Sequence, residues 1–133
     1  MPSRVLAIWC MDWPAVAAAA AASLPSTTPI AVTLANRVIA CSASARAAGV
    51  RRGLRRRESQ ARCPELHVVT ADPARDARHF EDVTAAVDDL VPRAEVLRPG
   101  LLVLSVRGAA RYFGSEQAAA ERLVDAVACS DPK

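Results

Sequence analysis

The sequence holds 133 residues, 52% apolar and 23% charged, with a formal net charge of +3. That balance excludes a disordered chain or a fibre and fits one domain, or one piece of a larger protein. Of the apolar residues 29 are Ala, while Phe, Trp and Tyr together number five. A core of Ala and Val buries little area per residue, so a chain this short is expected to be marginally stable.

In chain order, Arg4–Cys10 is an apolar run of strand length. Pro14 suits the first turn of a helix that Ala15–Ala22 continue, with Asp12 near its positive end. Arg4, the run Val5–Met11 and the Ala tract imitate a signal peptide, but Asp12 and Pro14 interrupt the apolar region. In a membrane span Asp12 would cost about 3 kcal/mol. The four cysteines, with no C-x-x-C pair, then read as reduced thiols of a cytoplasmic protein.

After the loop Leu24–Pro29, Ile30–Leu34 and Arg37–Cys41 read as strands joined by a turn at Ala35-Asn36. Ser42–Ala48 reads as a short helix stopped by Gly49, and Leu54–Arg62 as a second one stopped before Pro64. Leu66–Thr70 is strand-like. In Asp72–Leu90, Phe80, Val83, Val87 and Leu90 recur at helical spacing. Glu95–Leu97 and Leu101–Val106 flank the turn-forming Arg98-Pro99-Gly100 and read as a hairpin. Ser115 caps a helix through Ala128, with Ala120, Leu123, Val124 and Val127 on one side. The order β, α, β, β, α, α, β, α, β, β, α predicts a mixed α+β fold.

Residues 37–62 hold eight Arg against Glu58 alone, or +7, while residues 1–36 sum to zero and residues 63–133 to −4. A basic segment in an otherwise mildly acidic chain suggests a local anionic partner. Arg46, Arg51, Arg52, Arg55, Arg56, Arg57 and Arg62 are either a solvated face or phosphate contacts, since guanidinium forks match phosphate oxygens. Arg51 and Arg52 lie between Gly49 and Gly53, where backbone can approach an anion. Tyr112 and Phe113 are too remote in sequence to interleave with them. Cys63 and His67 have a metal-ligand spacing, yet Pro64 breaks the helix that would align them and no second pair exists, so no metal site is expected.

Four segments together resemble the N-terminal part of a Y-family (translesion, UmuC-type) DNA polymerase. Ile8–Trp13 is similar to the opening D-x-D strand motif, and Ile39–Leu54 to the fingers motif ending A-R-x-x-G-V-x-x-G. Glu58–Leu66 is similar to the E-A-x-x-x-x-P-x-L helix, and Glu95–Val106 to the palm hairpin with its D-E pair. The resemblance spans about residues 3–128. It implies a palm from 1–11 and 69–128, fingers inserted after the first strand at 12–68, and a tail at 129–133.

Such a palm is βαββαβ in sheet order 4-1-3-2. The expectation is therefore an incomplete βαββα palm half, with the fourth strand, thumb and little finger absent and Arg4–Cys10 exposed as an edge. A chain of that kind is expected to be poorly stable, or to associate, on its own.

The departures from the family pattern carry the functional expectation. Active relatives use carboxylates to hold two Mg²⁺ ions. Here Cys10 replaces the leading Asp, with Met11 between it and the surviving Asp12, and Gly100 and Leu101 replace the D-E pair. Ala15 stands at the aromatic steric gate and Ala43 at the pocket tyrosine, while Pro14 lacks a backbone donor for triphosphate. Arg46 matches the phosphate-binding arginine.

The combination resembles the inactive ImuB-like group of bacterial mutagenesis cassettes. It implies a non-enzymatic, DNA-associated adaptor in damage tolerance, with no cofactor of its own. Its implied partners are the sliding clamp, an error-prone C-family polymerase and an accessory mutagenesis protein. Two alternatives stand beside it: a small basic nucleic-acid-binding module unrelated to polymerases, and an active polymerase whose ligands have moved to Asp12, Asp88 and Asp89.

Overall fold

The structure, a computed structural model, describes residues 5–91, 94–105 and 114–130. Arg4, Val106, Tyr112, Phe113 and most of the 129–133 tail lie outside the described residues. Among the described residues eleven elements follow in the predicted order: β1 (Val5–Trp9), α1 (Trp13–Ala21), β2 (Ile30–Leu34), β3 (Arg37–Cys41), α2 (Ala43–Ala47), α3 (Arg56–Arg62), β4 (His67–Thr70), α4 (Pro73–Leu90), β5 (Glu95–Arg98), β6 (Leu101–Ser105) and α5 (Glu116–Ser130). The chain divides into two compact units. Among the described residues one takes β1, Cys10 and those from Phe80 to Ser130, and the other takes Met11–His79, so α4 starts in the second unit and ends in the first.

In the first unit β6 is central, antiparallel to both β1 and β5. Among the described residues β1 thus lies at an edge of this sheet, as the resemblance implied. The buried residues are Phe80, Val83, Val87 and Val91 of the α4 stripe, Leu102 and Leu104 of β6, and Ala119 and Leu123 of α5. Two expectations need correction. The α4 stripe closes on Val91, four residues after Val87, because a turn of 3.6 residues carries Leu90 off the face. On α5 the buried positions are Ala119 and Leu123, and Val124 is 64% exposed, since one residue turns the helix by about 100°.

The second unit is built on β2, which pairs antiparallel with β3 and parallel with β4. Alternate side chains of a strand face opposite ways, and β2 is covered on both sides. Ile30 and Val32 pack with Ala15 and Ala18 of α1. Ala31 packs with Val38, Cys41, Ala45, Val50, Cys63 and Leu66, beneath α2 and α3. The β2–β3 turn is Ala35-Asn36, both at positive φ (52° and 64°), the two-residue turn whose twist matches the strands it joins. Asp72 Oδ1 accepts the N–H of Arg75 at 3.1 Å and so caps α4, which opens on Pro73. The buried Trp13 donates its indole N–H to the Asp76 carbonyl at 2.9 Å.

Candidate functional site

In the first unit the strand pairing brings together the positions where the sequence departs from a metal site. Trp9 stands opposite Leu101, and the Cys10 N–H donates to the Gly100 carbonyl at 2.7 Å. Gly100 holds φ at +96° in the tight turn that feeds β6, a conformation that glycine adopts readily and a side chain resists. Cys10, Gly100 and Leu101 therefore stand side by side at one end of the sheet. They offer a thiol, a hydrogen and an isobutyl group. Mg²⁺ takes oxygen ligands in an octahedral shell, so this set does not fit it. Among the described residues no group of three or more His, Cys, Asp or Glu could hold a metal ion. Asp88 and Asp89 are exposed on α4.

The second unit holds an ion pair that the sequence reading did not foresee. Asp12 sits just before α1 at φ 57°, where its carbonyl accepts the N–H groups of Ala15 and Val16 at 2.9 and 3.0 Å. Its carboxylate takes both terminal nitrogens of Arg46, Nη1 at 3.0 Å and Nη2 at 2.9 Å. Such fork-to-fork geometry fixes orientation as well as charge. Asp12 drives the Arg46 pKa further upward, first through this hydrogen bond and then through its charge. The Cys41 thiol lies beneath the pair. Burial pushes its pKa up, and the neighbouring Arg46 cation works against that rise.

Ser42 sets Arg46 in place by capping α2: its Oγ accepts the N–H groups of Ile30 (2.9 Å) and Ala45 (3.3 Å). Ala43, in the first turn of α2, is exposed, and Ala15 is a core residue on the buried face of α1. Met11 is 55% exposed. The Asp12–Arg46 contact joins residues 34 positions apart, so no local spacing announces it.

The structure divides the arginine cluster by what each side chain holds. Arg51 Nη1 donates to the carbonyls of Arg46 (2.6 Å) and Val50 (2.9 Å), satisfying the open end of α2. Arg62 reaches the Gly49 carbonyl at 2.8 Å and Glu58 at 3.0 Å. Arg52 is exposed and has no side-chain partner among the described residues. Arg55, Arg56 and Arg57 share that condition and line a cavity with Arg37, a residue that the sequence reading counted in the basic segment without assigning it a role.

The sequence matches the impB/mucB/samB family over residues 11–130. The chain belongs to that family. Its membership sets aside the reading as a basic module unrelated to polymerases. Two similar solved structures are a Y-family DNA polymerase chimera, Dbh-Dpo4(243-245)-Dbh, and a Dbh ternary complex with partially disordered substrates. The chimera has a TM-score of 0.67 at 13% identity, with 91% of this chain covered and 39% of that one. The complex has a TM-score of 0.68 at 14% identity, with 91% and 38% covered. No curated protein matches the sequence significantly. This impB/mucB/samB member thus has the mixed α+β fold of the palm and fingers of Y-family polymerases, and spans about 39% of the first of those chains.

Proposed function

We propose that this chain is the palm-and-fingers part of a non-catalytic Y-family polymerase homologue, an ImuB-like adaptor in DNA damage tolerance and induced mutagenesis. The observation that carries the reading is the set of Cys10, Gly100 and Leu101 at one sheet end, a site with no carboxylate to offer a hard cation. The surviving Asp12 is committed to Arg46, a bond that ties α1 to α2. What the fold still provides is the palm-and-fingers part of a Y-family polymerase, with a basic fingers unit.

In this reading the palm and fingers rest on DNA, and the full-length protein engages the sliding clamp, an error-prone C-family polymerase and an accessory mutagenesis protein. The work is cytoplasmic, in keeping with the buried thiols Cys41 and Cys63. Among the described residues no helix is long and apolar enough to cross a membrane.

Primer extension tests the loss of catalysis. With Mg²⁺ or Mn²⁺, a primed template and all four deoxynucleotides, the expected result is no product from the 133-residue chain or from the longest natural form. Incorporation that disappears in Asp12→Ala would overturn the proposal.

A further inference from the structure

The β2–β3 turn and the start of α3 enclose a cavity of ≈ 540 Å³ whose lining includes Asn36, Arg37, Arg55, Arg56, Arg57 and Gln60. Besides the Ala35 methyl, its side chains are four guanidiniums and two carboxamides, with no carboxylate and no aromatic ring. Glu58 lies next to Arg57 in sequence, but its carboxylate is taken by Arg62 at 3.0 Å. Arg37 spends one donor on the Gly53 carbonyl at 3.0 Å. The guanidiniums of Arg55, Arg56 and Arg57 bind nothing among the described residues.

Backbone bonds hold these like charges together. The Arg56 N–H donates to the Asn36 carbonyl at 2.8 Å, Arg37 and Arg55 form an antiparallel bridge, and the Gly53 N–H donates to the Val38 carbonyl at 2.8 Å. All four guanidiniums are exposed, so solvent and salt screen much of their mutual repulsion, and an anion seated among them would offset the remainder. Guanidinium forks are matched to phosphate oxygens, and a lining without rings has nothing on which to stack a base.

We propose that this cavity seats the phosphodiester backbone of a DNA strand, gripped by Arg37, Arg55, Arg56 and Arg57. It is a contact separate from the Asp12–Arg46 pair. The proposal rests on the DNA-associated reading above and adds where the strand lies and that it is held without regard to sequence.

The test is fluorescence anisotropy of a labelled mixed-sequence DNA duplex titrated with the protein between 50 and 200 mM KCl. The wild type is compared with Arg56→Gln/Arg57→Gln and with Arg51→Gln/Arg52→Gln. Each phosphate contact contributes about 0.9 to the slope of log affinity against log salt. Losing two contacts lowers the slope by about 2 and the affinity at 100 mM roughly 60-fold.

That loss in R56Q/R57Q, with a smaller one in R51Q/R52Q and unchanged circular dichroism, is the expected result. If the wild type binds DNA and R56Q/R57Q binds it equally well, the cavity proposal is overturned while the DNA-associated reading survives. If the wild type ignores DNA but binds tripolyphosphate through Arg56 and Arg57, both fall, and the cavity serves a free polyphosphate. Binding to neither overturns both.

Discussion

Replacing Ser42 by Ala removes one oxygen that two backbone donors share. The Ala45 N–H loses a helix cap, worth about 1 kcal/mol, and the 3.3 Å length places it at the lower end. Ile30, whose N–H sits 2.9 Å from the same oxygen, is 1% exposed, so no bulk water replaces the lost acceptor. A buried donor left unsatisfied costs about 1–3 kcal/mol. The sum is about 2–4 kcal/mol, a large share of the stability of a small unit.

The assay is urea unfolding of the unit that contains Trp13, followed by its fluorescence in a Trp9→Phe background. At about 1–3 kcal/mol per molar urea, the midpoint should fall by roughly 1–3 M. Ser42→Thr keeps the hydroxyl and should fall far less. Ser44 Oγ lies 3.2 Å away, and Ser44→Ala controls for its taking over the role. A Ser42→Ala midpoint equal to the parent's would refute the assignment of Ser42 as the acceptor that organises α2 and Arg46.

Trp9 is 63% exposed and Trp13 3%, so Trp9→Phe should leave a blue-shifted emission and Trp13→Phe a water-like one. Trp13→Phe also removes the indole bond to the Asp76 carbonyl, which keeps its partner within α4, and should cost about 0.5–1.5 kcal/mol for that bond, read from its urea midpoint. Burial raises the pKa of both Cys41 and Cys63, so the folded state keeps protons that the unfolded chain releases. Their contribution to stability is complete below about pH 8.5 and is lost as pH rises through the higher folded values. Urea midpoints at pH 7 and pH 10 should show the drop, and Cys41→Ala/Cys63→Ala should flatten it. Gly100→Asp places a side chain at φ +96° and should cost about 1–2 kcal/mol, measured by thermal denaturation; a neutral result would contradict the strained turn.

The β2–β3 hairpin was legible because Ile30–Leu34 and Arg37–Cys41 are β-rich runs, and Asn36 is a residue that tolerates positive φ. The capped helix α2 was legible for the same local reason: Ser42 opens it and Gly49 closes it. The β1–β6 pairing was implied only by the family resemblance, and the β2–β4 pairing was not legible at all. Val68 and Val69 carry no mark that sends β4 to lie parallel to Ala31 and Val32, because side-chain alternation specifies a face and not a neighbour. At the candidate site, the replacements at Cys10, Gly100 and Leu101 were visible through family resemblance. The bond between Asp12 and Arg46 was not, and neither was the meeting of Arg37 with Arg55–Arg57. Each depends on how the turn and the helices close in space.

The helix α1 touches β2 through Ala15 and Ala18, with only methyl groups between them and the branched side chains Ile30 and Val32. Those methyls act as a shim that sets the height of Asp12 above the sheet, and so the reach to the arginine it clasps. An isopropyl group at position 15 would lift the helix, and the clasp would open long before the hydrophobic contact itself was lost.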